Sequence, residues 1–210
     1  KQFTGVDGSD VPLRDTIVPN TTVAAPKGGY IVPAEHAAAV AKQLDTHGVR
    51  YTTLSTAHAD TAAQVFQADS VRFAAGSMEG HQRATVTGNW ENTRTSIAAG
   101  ALFVPIAQPK ARLLMQVLEP QAPDSMVSWG AFNNAFEQKE YMEAYVAEEQ
   151  ARLMLARDPA LKEAFEAKLK DDPEFAKDPA ARLDFFYQRH AAWDAGTRRY
   201  PVLRTDSVLE

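Results

Sequence analysis

The chain has no cysteine. This excludes disulfides, thiolate catalysis and cysteine-ligated zinc within its 210 residues. It leaves the redox compartment open, because a thiol-free chain suits either environment. No apolar run approaches the roughly 18 to 20 residues of a membrane-spanning helix. The stretch Ile97-Ala98-Ala99-Gly100-Ala101-Leu102-Phe103-Val104 is far too short. Positive charge is not in excess: 22 Lys and Arg stand against 27 Asp and Glu, a formal net charge of −5. A binder driven by phosphate neutralisation is usually basic, so nucleic acid is disfavoured as a partner. No charged segment followed by an apolar stretch opens the chain, so no signal peptide is legible. The start at Lys1 reads as a boundary within a longer protein or as a processed end. What remains is ordinary globular composition, 45% hydrophobic and 23% charged. That length and composition can bury a real core in one large domain or two small ones.

Near position 120 the composition changes. Val, Thr, Gly and Pro dominate before it, and Ala, Glu, Lys, Leu and Phe after it. Residues 1–29 carry scattered Gly, Pro, Asp and Asn and read as extended chain and turns. Gly29–Val32 reads as a short strand stopped by Pro33. Ala37, Val40, Ala41 and Leu44 then recur at helical spacing over 34–47, and Gly48 follows as a stop. Val49–Leu54 alternates and is β-branched, so it reads as a strand. This run predicts a βαβ unit. Further strands are expected over 64–75, 82–88 and Ala101–Ile106, and a helix from Pro109 through Leu118.

Beyond the Pro-rich loop 119–125 the pattern is helical. A long helix is expected over 136–156. Asp158-Pro159 and Asp178-Pro179 each combine an N-cap with Pro at the first helical position, and Asp172-Pro173 is a weaker copy. Leu183, Phe186, Tyr187 and His190 form the expected inner stripe of the last helix. Tyr200–Arg204 reads as a returning edge strand. The expected architecture is α/β: a mixed sheet with a βαβ unit over residues 1–120, and a helical extension over 121–210 packed on it as one structural unit.

Motifs that carry chemistry are scarce. The five histidines are His36, His47, His58, His81 and His190. No two are four apart, and none has a carboxylate three residues on, so neither helical zinc signature is present. His36 and His47 on one helix would stand about 16 Å apart, too far for one metal. Gly76-Ser77-Met78-Glu79-Gly80 lacks the spacing of a nucleophile elbow and reads as a turn. Phosphate-binding glycine loops are missing. Glu137, Glu140, Glu143, Glu148 and Glu149 suit either a ligand set or a solvated acidic face at a helix start. The segment 118–136 is the most unusual. It packs Trp129, Phe132 and Phe136 with Asp124, Ser125 and Asn133 beside rigid prolines. It suits a cleft or docking surface as well as a loop that tucks its aromatics into the core.

A resemblance enters at this segment. Leu118-Glu119-Pro120-Gln121-Ala122-Pro123-Asp124-Ser125, then Trp129-Gly130, Phe132-Asn133 and Glu137-Gln138-Lys139-Glu140-Tyr141-Met142, resemble the C-terminal region of bacterial carboxypeptidase A-like zinc metallopeptidases. Tyr30-Ile31-Val32-Pro33, His47-Gly48-Val49 and Pro105 with Gln108-Pro109 extend the likeness over about residues 10–204. The family's catalytic domain lies upstream and holds zinc through a His-x-x-Glu motif and a later His, with a further Glu as general base. None of these is matched here, so no catalytic or metal-binding residue carries over.

The resemblance implies an accessory domain, without a cofactor of its own, that partners the upstream catalytic domain and is inactive alone. It also implies export to the periplasm or medium. A homo-oligomer is a further candidate assembly. The candidate interface or cleft residues are Asp124, Ser125, Trp129, Phe132, Asn133, Glu140 and Tyr141. Two rival readings stay open. One is a hydrolase with a site assembled from Asp124, Ser125, Glu140 and a His. The other is a module that binds cell-wall peptide or glycan through Trp90, Trp129 and Trp193.

Overall fold

The computed structural model describes Thr16 and residues 22–139, 141–194 and 196–210. Much of the extended chain expected over 1–29 lies outside these residues, and 22–26 carry no helix or strand. The elements run β1 (Gly29–Val32), α1 (Ala34–Thr46), β2 (Thr52–Thr53), β3 (His58–Phe73), β4 (Ala84–Ile97), β5 (Leu102–Pro105), α2 (Ala111–Leu118) and α3 (Asn133–Phe136). They continue with α4 (Ala144–Arg157), α5 (Pro159–Asp171), α6 (Pro173–Lys177), α7 (Pro179–Tyr187) and β6 (Leu203–Thr205).

The architecture is α/β, built on one six-stranded sheet in the order β2-β5-β1-β6-β3-β4. Every pairing of neighbours is antiparallel, where a mixed sheet was expected. The βαβ unit is present, but split. β1 and β2 run the same way, and β5 inserts between them. With the β3–β4 hairpin set aside, β1-α1-β2 and β5-α2-β6 interleave as two split βαβ units. This is the connectivity of ferredoxin-like sheets.

Alternation along the short strands sorts the core. Tyr30 and Val32 on β1, and Leu102 and Val104 on β5, meet Val40 and Leu44 of α1 and Leu114, Val117 and Leu118 of α2. Both helices therefore cover one face of the sheet. Each such buried side chain contributes about 2 kcal/mol from the water it sheds. Ile31 and Phe103 point the other way, into a smaller cluster with Leu54, Ile97 and Ala101. Pro33, which cannot donate to a ladder, separates β1 from α1, and α1 ends at His47 and Gly48.

Four further expectations are corrected. The hairpin strands are longer than 64–75 and 82–88, because polar residues such as Thr61, Asn89 and Asn92 hide the ends from a search for apolar alternation. The long helix expected over 136–156 is interrupted: α3 ends at Phe136 and α4 begins only at Ala144. Phe136 is buried at the end of α3, whereas α4 buries only Ala147 and Ala151. The last helix buries Phe185, Phe186 and Tyr187, whereas Leu183 and His190 are half-buried. The returning strand is central, between β1 and β3, because Arg204 is held by a buried partner. Residues 203–205 of the helical half thus complete the sheet of the first half.

The Asp-Pro signals work as read. Asp158 accepts from the Leu161 N–H at 3.0 Å, Asp172 from Phe175 at 3.0 Å, and Asp178 from Ala180 and Ala181 at 2.9 and 3.1 Å. Each Asp also closes the preceding helix, so α4 to α7 follow with single-residue junctions. Their common core joins Ala151, Phe175, Phe185 and Phe186 to the half-buried Phe165. The chain then returns along β3, where the Ala68 N–H donates to Arg198 O at 3.0 Å and the Tyr200 N–H to Phe66 O at 2.9 Å.

Candidate functional site

The chemistry-bearing residues form a buried anchor and an open cleft. The anchor is Glu119, just past the end of α2. Arg204 Nη2 lies 2.5 Å from Glu119 Oε2, and Arg204 Nε donates to Oε1 at 2.9 Å. The Nη2 contact is an ion pair, and Nη2 is buried without a hydrogen-bond partner. The Tyr30 hydroxyl donates to the same Oε1. The Arg204 guanidinium also stacks 4.2 Å over the Trp90 ring. Both charged side chains are buried, 8% and 5% exposed.

Burial, and then the Glu119 charge, push the Tyr30 phenol far above its ordinary range. Tyr200 is raised too, chiefly by burial and then by Glu119, and its hydroxyl is buried without a hydrogen-bond partner. Both phenols hold their protons at any physiological pH. The cluster is a clamp between α2, β1 and β6.

From that clamp the loop 120–132 is stitched turn by turn. Ser125 Oγ donates to Pro120 O at 3.4 Å and accepts from the Ser128 N–H at 3.1 Å. Ser128 Oγ reaches Pro123 O at 2.8 Å and Ser125 O at 2.9 Å. Arg83, just before β4, donates from Nε to Ser128 O at 2.7 Å and from Nη2 to Pro123 O at 2.8 Å. Its guanidinium lies 4.1 Å over the Trp129 ring, and Trp129 Nε1 donates to Asp124 Oδ1 at 3.3 Å. Asn133 Nδ2 donates to Gln82 O at 2.9 Å. The loop is thereby fixed against the tip of the hairpin.

Beside it lies a cleft of about 340 Å³. Gln43 from α1, His47 from its C-cap, His81 from the hairpin and Asp124 from the loop supply its polar groups. Val117, Met126, Trp129 and Ala131 supply the apolar wall. The volume falls at the small end of the range for ligand clefts, roughly 300 to 1,000 Å³. His81 meets Trp129 edge-on at 5.8 Å. Within this cleft an acceptor carboxylate, two imidazoles and an indole can hold a polar ligand group against an apolar wall.

Of the candidates named from sequence, Asp124 and Trp129 line the cleft. Ser125 and Phe132 are buried, Phe132 packing edge-on to His36 at 5.3 Å and Tyr200 at 5.1 Å. Asn133 ties the loop to the hairpin, and its Oδ1 is buried without a partner. Tyr141 is 74% exposed. Glu140 lies outside the described residues. Sequence reasoning did not foresee that His47 and His81 share the cleft, that Arg83 packs on Trp129, or that Glu119 pairs with Arg204; only the resembling runs, which contain Glu119 and His47, pointed to part of this.

Among the described residues, no three His, Asp or Glu side chains gather closely enough to hold a metal ion. Glu148 and Glu149 instead pair with Arg152 on the surface of α4. No described helix is long and apolar enough to cross a membrane. Compared with protein-family models, with curated proteins and with solved structures, the chain finds no match in any of the three.

Proposed function

We propose that this chain is a non-catalytic accessory domain of a zinc carboxypeptidase-like protein, packing on the catalytic domain and shaping access to it. The reading rests on the resemblance of residues 118–146 and on the use the fold makes of the loop within them. The observation that carries it is the stitched loop. Glu119, Ser125 and Ser128 spend their polar groups on holding it still, while Asp124 and Trp129 are turned to the cleft. Such a rigid lip with a carboxylate and an indole is suited to contact with a polypeptide, since Trp is a favoured anchor. Metal-assisted hydrolysis belongs to the other domain. No step of it is assigned to a residue of this chain.

The rivals are less well supported. Ser125 is fully buried with its hydroxyl engaged, so it is not available as a nucleophile beside Asp124. Trp90 packs on Phe66 and Tyr200 under Arg204, and Trp193 packs on Tyr187. Only Trp129 of the three faces the cleft, which disfavours a glycan platform.

The test takes the isolated 210-residue chain and the longer protein that the resemblance implies. The isolated chain is expected to hold no stoichiometric zinc and to show no carboxypeptidase turnover. In the longer protein, Trp129→Ala is expected to leave zinc content and turnover of a minimal substrate unchanged, while KM for a long peptide rises severalfold. Robust turnover by the isolated zinc-loaded chain would overturn the reading.

A further inference from the structure

We infer that the outer edge of β4 pairs with β4 of a second copy of this chain, antiparallel about a two-fold axis at Asn92. This does not depend on the accessory-domain reading. β4 is the last strand of the sheet, so its outer backbone groups have no strand partner among the described residues. Only its first residue is covered, where the Ala84 N–H donates to Ser128 O at 3.2 Å. Among the described residues, the ladder from Thr85 to Ile97 is open over about 44 Å. The opposite edge, β2, is two residues long.

Edges that must stay unpaired are usually guarded by Pro, Lys, a bulge or a covering element. β4 contains neither Pro nor Lys. Both register slips in the hairpin put the extra residue on β3, so β4 itself runs unbulged. Its side chains are mostly Thr, Asn, Ser and Gly, with Glu91 and Arg94 its only charges.

Those two charges narrow the register; Arg94 is itself paired with Asp60 of β3 at 2.6 Å. A two-fold centre at Glu91 or Arg94 sets like charges face to face, which is unfavourable. A centre at Asn92 sets amide opposite amide, Glu91 opposite Thr93, and Trp90 opposite Arg94 of the second copy. Paired residues also keep to the same face of the sheet, as alternation requires. A second copy has the same unguarded edge, so one isologous pairing closes both, whereas a separate peptide would close only one.

Because the chain has no cysteine, single-cysteine variants give a clean test. Asn92→Cys places two thiols about 5 Å apart by Cβ across the axis. Light scattering and sedimentation of the wild-type chain are expected to show a dimer. Mild oxidation is expected to cross-link N92C and to leave T85C, far from the axis, largely single. N92K opposes two ammonium groups at an exposed position and is expected to weaken dimerisation about tenfold, with an unchanged circular dichroism spectrum. A monomer up to about 100 μM, a range in which weak pairs still associate, would overturn the inference. So would a dimer that is indifferent to N92K, or one that cross-links T85C as readily as N92C.

Discussion

Tyr30 and Arg204 stand opposite one another in register across β1 and β6, and both bond to the single carboxylate of Glu119. The pairing puts a guanidinium in the middle of a sheet and makes its burial depend on a residue 85 positions away. Removing one partner from such a pair leaves an uncompensated buried charge, at a cost of about 3–5 kcal/mol. Glu119→Gln keeps the shape and removes the charge, so it is expected to lose that much in urea-unfolding free energy. Replacing both partners, with Glu119→Leu and Arg204→Met, is expected to recover most of the loss, because a well-packed apolar pair also avoids the desolvation penalty. A loss below about 1 kcal/mol in E119Q would show that the pair is not the clamp described here.

The two buried phenols predict an alkaline limit. Tyr30 and Tyr200 are raised in the folded chain, while in the unfolded chain each titrates near 10. A raised folded value means that their contribution is fully present below pH 10 and is lost as pH climbs above it. In a titration followed by phenolate absorbance, two of the six tyrosines are expected to stay silent until the chain unfolds. Tyr30→Phe is expected to remove one of the silent pair. All six ionising together in the folded chain would contradict the burial described.

Acid acts on the other side, at the helix junctions. Asp172 is held below the usual carboxylate range, first by the Phe175 N–H it caps and then by Lys168. A depressed folded value gives stability that is present above about pH 4 and is lost as pH falls through the lower folded value. Asp172→Asn keeps a cap and removes the titration, so its unfolding free energy is expected to fall less steeply with acid than that of the wild type. Asp178→Ala, which strands two backbone N–H groups, is expected to cost about 1 kcal/mol at neutral pH by denaturant titration.

What could be read from the sequence follows from range. Pro33, the Val40 and Leu44 stripe and the three Asp-Pro caps act within a few residues, and each does what its local chemistry implies. β6 was legible only as a stretch returning to an edge. Its central place depends on Arg204 finding Glu119, and no local pattern shows that. β5 entering between β1 and β2 is likewise a fact of pairing, invisible to alternation along either strand. At the cleft, Asp124 and Trp129 stood out because they lie near rigid prolines in one aromatic-rich segment. His47 and His81 arrive from separate elements, and nothing in their spacing announces that they share a wall.

Gly80 and Gly130 test whether the loop is as tightly stitched as its hydrogen bonds imply. Both occupy left-handed backbone, at φ +79° and +81°. An added methyl at Gly80, in the hairpin turn, meets nothing within 4 Å. At Gly130 it would fall 2.3 Å from Gln82 O and 3.1 Å from Asn133 Nδ2, the groups that join the loop to the hairpin. Gly80→Ala therefore carries only the conformational cost of an L-residue there, about 1 kcal/mol. Gly130→Ala carries that cost and a displaced backbone contact, so its destabilisation is expected to be larger by about 1–3 kcal/mol. Since the loop also carries Trp129, the indole emission is expected to shift in Gly130→Ala and to stay fixed in Gly80→Ala. Equal losses in the two variants, measured by denaturant midpoint, would mean that the loop yields freely and that the cleft wall is soft.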